Sequence, residues 1–334
     1  MEELISYSYK YPDIPYEITL FFSEIKKDPT SNYIVNKSVK EFCSYYKDKY
    51  NTKDLPQPRV IAKMCDVLCE NLMMTVVHRG GVADMENSYL CTITFEEIIK
   101  KPAFAYLFKK RLNYVVFGFK YIYEDFKKYV LPIEHTDSKD DKHLGTGFLY
   151  SNGLVTARHC IDGAKKIAIK GIGSEYLKTA RYKIPKNDLL DILFIQFENR
   201  IKESLIFSKE ANVLDEVMTL GYPKIPGFHS FLTAEHAKVA SRYTASVGEI
   251  VANAEDIWIR EDLFLITAKI RGGNSGGPVV SNDGSIVGVS VNLPEGEGDY
   301  DNLGYGTVIP VKYVNDLIDN FEYLDTSKID FVDF

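Results

Sequence analysis

The string Gly273-Asn274-Ser275-Gly276-Gly277-Pro278 constrains this chain more than any other six residues. Glycines on either side of a serine let the backbone bend sharply and let a peptide carbonyl come close. In such a bend the main-chain N–H groups of Gly273, Asn274 and Ser275, the first and last foremost, lie near one spot where an oxyanion would form. A serine hydroxyl is a weak nucleophile until a base takes its proton. The string therefore demands a histidine and a carboxylate upstream, in contexts that could hold them.

Both are present. Residues 145–160 read as a strand, a turn at Ser151-Asn152-Gly153 and a returning strand that ends at His159. The other five histidines have no comparable setting. Asp191 stands at the mouth of the apolar run Ile192-Leu193-Phe194-Ile195, where it is expected to be buried and to accept the imidazole N–H. Asp188, three residues earlier, follows Lys186-Asn187 and reads as a solvated turn. Asp162 is expected to face water.

The order His, Asp, Ser, with Thr156-Ala157-Arg158-His159-Cys160, Asp191-Ile192-Leu193-Phe194 and Gly273–Pro278, resembles the chymotrypsin-like (trypsin-fold) serine proteases. Within them the chain is more similar to the high-temperature-requirement type and related bacterial intracellular members. Asn274 stands where secreted digestive members carry an aspartate. Gly221-Tyr222-Pro223 and Gly304-Tyr305-Gly306-Thr307-Val308-Ile309-Pro310 resemble that type's segments too. The resemblance spans residues 141–323. It implies an all-β domain of two six-stranded barrels, with His159, Asp191 and Ser275 in the cleft between them and Gly273, Asn274 and Ser275 at the oxyanion hole. It also implies a helix over Tyr313–Phe321, a substrate-pairing edge at Ser290, Val291 and Asn292, and a further hydrogen bond from Ser290 to Asp191. The pocket for the residue before the cut would be lined by Lys269, Ile270, Arg271 and Gly306. Lys269 favours an acidic residue there and the acidic loop 295–301 a basic one, a conflict the sequence leaves open. No metal and no cofactor is called for.

The composition of the 334 residues is that of an ordinary globular protein, and the length suggests two domains. No apolar run is long enough to span a membrane. The net charge of −7 arises after residue 140, because acidic and basic residues balance before it. The start, Met1-Glu2-Glu3, carries acid where a signal peptide carries base. The five cysteines are odd in number and only Cys160 falls in the protease half, so a reducing, cytoplasmic setting is expected.

Residues 1–131 read as a separate, mainly helical α+β domain, 132–143 as a polar linker, and 144–334 as the protease domain. Helical spacing marks residues 13–27, 38–50 (opened by a Ser38 and Glu41 capping box) and 58–72. Strands are expected at 73–77 and 88–93. A further capping box at Thr94 and Glu97 and a long aromatic-rich helix over 102–129 follow. Three helices and a hairpin resemble a winged helix, a fold that binds DNA or protein. The third helix mixes acid with base, so a regulatory protein partner is expected over DNA.

These readings converge on an intracellular serine endopeptidase that cleaves a protein substrate through an acyl-enzyme. With Asn274 in place of the aspartate and no C-terminal peptide-binding domain expected, switching is assigned to the N-terminal domain or a partner, in a dedicated stress or phage-defence role. A protease-fused DNA-binding regulator and a pseudoprotease scaffold are the alternatives.

Overall fold

The computed structural model describes residues 2–24, 26–27, 34–93, 100–199, 203–205, 207–223, 243–291, 305–317 and 319–334. The chain divides into two compact units, Met1–Ile122 and Tyr123–Phe334.

The first unit holds α1 (Glu2–Lys10), α2 (Ile14–Ser23), the short pair β1 (Lys26–Lys27) and β2 (Ile34–Val35), α3 (Val39–Tyr50), α4 (Pro58–Glu70), β3 (Met74–His78) and β4 (Ser88–Cys91). The last long helix, α5 (Pro102–Phe126), crosses the boundary between the units and leaves helical geometry at Gly118, where φ is 68°. The α3 start is the expected capping box. Glu41 N–H donates to Ser38 Oγ at 3.3 Å while Ser38 N–H donates to Glu41 Oε2 at 2.7 Å. Pro58 opens α4, where its missing N–H costs no helical bond. Ile14, Ile18 and Phe22 of α2, Phe42 of α3, and Ile61, Met64 and Leu68 of α4 are buried in one core. The sequence reading missed α1, whose apolar residues mix with tyrosine and serine. The box at Thr94 and Glu97 lies outside the described residues. Among the described residues, no helix is long and apolar enough to cross a membrane.

The second unit is built from strands. Along the chain run β5 (Val130–Thr136), β6 (Lys142–Tyr150), β7 (Gly153–Thr156), β8 (Lys166–Ile169), α6 (Ser174–Thr179), β9 (Arg181–Ile184) and β10 (Leu193–Gln196). Then come β11 (Glu216–Gly221), β12 (Thr244–Glu255), β13 (Asp262–Ile266), β14 (Pro278–Ser281), β15 (Ile286–Val291) and β16 (Gly306–Pro310). The chain ends in α7 (Val311–Asp316), β17 (Glu322–Tyr323) and β18 (Asp330–Phe331). Strands β11 to β16 close a six-stranded barrel in the order β11-β12-β13-β16-β15-β14. The earlier strands form an eight-stranded sheet in the order β17-β9-β10-β7-β6-β5-β8-β18.

Three expectations need correction. The first barrel is not a closed ring of six strands, because its edges β9 and β8 pair with β17 and β18 from the C-terminal segment. Residues 132–143 are not a linker but most of the β5–β6 hairpin, with Pro132 opposite Thr146. Its polar run is the tip, where Asp137 Oδ1 accepts the N–H groups of Lys139 and Asp141. Residues 123–131 consequently belong to the second unit, and Tyr123 stacks on Tyr243 at 4.8 Å. The C-terminal helix begins earlier than expected, at Val311, and excludes Phe321.

Phe331 carries β18 into the core, 5% exposed and stacked on Tyr182 with ring centroids 5.5 Å apart. Phe331→Ala is expected to destabilise the unit by about 3–5 kcal/mol, the cost of deleting a buried aromatic. Denaturant unfolding checks this, and an unchanged midpoint would show that β18 contributes nothing to the sheet.

Candidate active site

The turn between β13 and β14 carries Ser275. Two of its glycines have positive φ, Gly273 at 97° and Gly276 at 84°, where a side chain is strained. A Cβ on Gly276 would also collide with Thr146 O and Thr156 Oγ1, so the string tolerates no larger residue there. The turn is pinned by hydrogen bonds on nearly every peptide. Asn274 N–H donates to Arg271 O at 2.8 Å, Gly276 N–H to Ser290 O at 2.8 Å and Gly277 N–H to Asn274 O at 2.8 Å. Ser290 Oγ donates to Asn274 O at 2.7 Å, and Thr146 N–H to Ser275 O at 3.0 Å. The N–H groups of Gly273 and Ser275 have no acceptor among the described residues. Buried main-chain donors are almost always paired, so two unpaired ones beside a serine mark a place for an anion. Asn274 N–H, counted above with the oxyanion donors, is withdrawn from that set by its bond to Arg271 O.

His159 sits in the short helical turn Arg158–Cys160 that follows β7. Asp191 stands two residues before β10, which pairs with β7 in the register Leu193 to Thr156. Adjacent strands thus deliver the two side chains to one place. Asp191 grips His159 twice. Its Oδ1 accepts the His159 main-chain N–H at 3.0 Å, and its Oδ2 lies 2.6 Å from Nδ1. Asp191 is less buried than expected, its side chain 28% exposed and that of His159 49%. Asp188 lends its carbonyl to Arg158 Nη1, and Asp162 pairs with Arg158 at 2.9 Å. Ser275 Oγ makes no hydrogen bond among the described residues, so the bond to His159 is open in this state. Catalytic contacts of unliganded sites commonly close only with substrate.

Partial burial opposes charge on His159, but the Asp191 hydrogen bond, the neighbouring Cys160 sulfur and the Asp191 charge outweigh it and lift the imidazole from 6.5 to about 10. Held with Nδ1 against a carboxylate, the ring keeps Nε2 for other chemistry. At neutral pH the base form is then the minority species.

The remaining predicted residues divide. Ser290 is wholly buried and does not reach Asp191; its hydroxyl serves Asn274 O and, at 3.1 Å, Gly277 O. The reason is topological, since Ser290 N–H and O already pair with Gly277 and Gly276. Ile270 is half-buried and lies over Gly306, where a Cβ would stand 2.7 Å from Ile270 Cδ1 and Cγ1. Lys269 and Arg271 are exposed. Val291 is buried, and Asn292 with the acidic loop falls outside the described residues. Among the described residues no group of three or more His, Cys, Asp or Glu could hold a metal ion. Thr146, which sequence reasoning passed over, touches the Ser275 turn through both its main chain and its hydroxyl. Its only sequence signal was its place in Gly145-Thr146-Gly147.

Residues 145–289, which include all three of these side chains, match the trypsin-like peptidase domain. That stretch is similar to trypsin-like peptidases, and it covers less than half of the chain. Among curated proteins the chain is 30% identical over 178 residues to a probable periplasmic serine endoprotease DegP-like from Chlamydia pneumoniae, covering 52% of this chain and 33% of that one. It is 26% identical over 184 residues to the chloroplastic Protease Do-like 2 of Arabidopsis thaliana, covering 53% and 28%. The chain thus spans a third or less of these two relatives. Among solved structures, the active form of the Rv3671c protease from M. tuberculosis is 19% identical, covering 61% of this chain and 85% of that one, with a TM-score of 0.45. The matched domain is trypsin-like; the helical N-terminal region lies outside the match.

The grip of Asp191 on His159 makes a prediction that needs no substrate. The imidazole should titrate well above 6.5 by nitrogen-detected NMR, because the carboxylate favours the protonated ring. Asp191→Asn removes that charge and should lower the midpoint. A midpoint at or below 6.5 in the unaltered protein, or no change in the variant, would contradict the geometry.

Proposed function

We propose that the chain is a serine endopeptidase acting on protein substrates, with Ser275 as nucleophile, His159 as general base and then general acid, and Asp191 as the group that orients His159. The observation that carries this reading is the pair of N–H groups, of Gly273 and Ser275, that have no acceptor among the described residues and flank the serine, while the N–H groups of Asn274, Gly276 and Gly277 are bonded. Ser275 Oγ attacks the scissile carbonyl as its proton passes to His159 Nε2, and the carbonyl oxygen becomes an anion held by the two N–H groups. His159 returns the proton to the leaving amine. Water repeats the sequence on the acyl-enzyme. Because His159 must be neutral to begin, the rate rises with pH.

Ile270 over Gly306, with Lys269 and Arg271 exposed, supports a small aliphatic residue before the cut rather than a charged one. The five unpaired cysteines, with Cys160 buried behind the nucleophile, support a reducing, cytoplasmic setting. The N-terminal unit is read as a winged-helix-like module that binds a regulatory protein. Full-length protein and residues 123–334 alone should differ in activity, and equal activity with and without partners removes that regulatory role. A mobility shift with residues 1–122 on DNA would instead favour the DNA-binding alternative.

Mapping new protein N-termini in cells with the unaltered chain and with Ser275→Ala tests the main reading. Cleavages present only in the former, mostly after small aliphatic residues, are expected, with activity lower by about 10⁴-fold or more in the variant. Identical sets of cleavages would overturn it.

A further inference from the structure

We propose that Arg158 is a positioning residue for the His159 and Asp191 pair, holding the turn that carries Asp191 against the turn that carries His159. The inference rests on the serine endopeptidase reading above and names what keeps the base and its orienter together at a site open to water.

The two side chains come from different segments, and the strand ladder ends short of both. His159 lies in the helical turn after β7, and Asp191 lies two residues before β10. Their mutual bonds are open to competition from water, since the Asp191 side chain is 28% exposed and that of His159 49%. Arg158 adds a bond between the same two turns. It is next to His159, and its Nη1 donates at 3.1 Å to Asp188 O, three residues before Asp191. Among the described residues, the only other hydrogen bonds between these turns are those of the Asp191 carboxylate. The other arm of Arg158 is already fixed. Its Nε donates to Asp162 Oδ2 at 2.9 Å, while Asp162 N–H donates back to Arg158 O at 2.8 Å. That ring sets the direction of the guanidinium, a planar fork whose donors cannot turn independently.

The hold on Asp188 is passed to Asp191 by a stiff turn. Leu190 N–H donates to Asn187 O at 3.1 Å, Leu189 N–H to Asn187 Oδ1 at 3.2 Å, and Ile192 N–H to Leu190 O at 2.8 Å. The start of the turn is tied elsewhere, to the β12–β13 hairpin, where Asn187 Nδ2 donates to Ile259 O at 2.9 Å and to Glu261 Oε1 at 3.3 Å. The turn is therefore strung between that hairpin and Arg158, with Asp188 and Leu189 exposed. Without the guanidinium, the carboxylate of Asp191 alone bonds this turn to the His159 turn. Water would then displace it from His159 Nδ1 more often, and the ring would lose part of the support for its charge. Loss of the Arg158 charge by itself acts the other way, because a nearby cation disfavours the imidazolium. The two effects differ in sign and can be told apart.

The test is the titration of the His159 imidazole by nitrogen-detected NMR in the full chain, unaltered and as Arg158→Met, which keeps the apolar stem and removes the fork. Asp191→Asn is the reference for complete loss of the carboxylate. Arg158→Met is expected to lower the midpoint by about one unit, part of the fall that Asp191→Asn gives. Hydrolysis of a p-nitrophenyl ester of a short aliphatic acid supplies the second readout. Its acid limb should move to lower pH with the midpoint, and its kcat at the high-pH plateau should fall by about tenfold, because the ring is less well aimed. Should the methionine variant not fold, Arg158→Ala carries the same comparison. A midpoint that is unchanged or raised, the sign of a role through charge alone, or a plateau kcat equal to that of the unaltered chain would each overturn the proposal. If Ser275→Ala hydrolyses the ester as fast as the unaltered chain, it is the nucleophile assignment that fails, and the titration still decides the role of Arg158.

Discussion

The hydrogen bonds that cross from β6 to the turn around Ser275 are the constraint on which the site depends. Thr146 N–H reaches Ser275 O, and Thr146 Oγ1 reaches Gly273 O. The turn belongs by connectivity to the closed barrel of β11 to β16, whereas β6 is a central strand of the eight-stranded sheet. The turn that carries Ser275 therefore keeps its place against the sheet that carries His159 only if the two β-layers of the second unit are held in one register. The small residues around the serine make this possible. At Gly276 a Cβ would meet Thr146 O, so the layers close on each other only because no side chain intervenes.

The same economy of polar groups explains the histidine. Asp191 spends one oxygen on the His159 main chain and one on its ring, so position and tautomer are fixed together. The resulting rise in the affinity of the ring for a proton is a consequence of that grip. The site thus combines a strongly bonded scaffold with a few groups that have no partner among the described residues, among them the hydroxyl of Ser275, the N–H groups of Gly273 and Ser275, and the buried Asn274 Oδ1.

Much of this was legible in the sequence because each element has a local signature. Gly273–Pro278 reads as a nucleophile turn since positive φ and close approach both demand glycine, and Ser38 with Glu41 reads as a helix start since the box is a local bond pattern. What could not be read depends on contacts distant in sequence. Residues 132–143 looked like a linker because a hairpin tip has linker composition; only pairing of β5 with β6 and β8 reveals the strands around it. Strands β17 and β18 have two residues each and carry no periodicity, so the capped edges of the first sheet were invisible. Ser290 was expected to serve Asp191 and instead serves the nucleophile turn, and Thr146 drew no notice. The partner of a buried hydroxyl is set by the fold, not by neighbours in the chain.

The central claim is that Ser275 is a nucleophile activated by His159 and poised under two N–H donors. The most direct measurement is the rate at which a fluorophosphonate forms an adduct with the intact protein, followed by mass spectrometry of the whole chain and of its peptides. The account predicts a single adduct on Ser275, formed far more slowly in His159→Ala and absent in Ser275→Ala. An adduct elsewhere, or a labelling rate indifferent to His159, would contradict it.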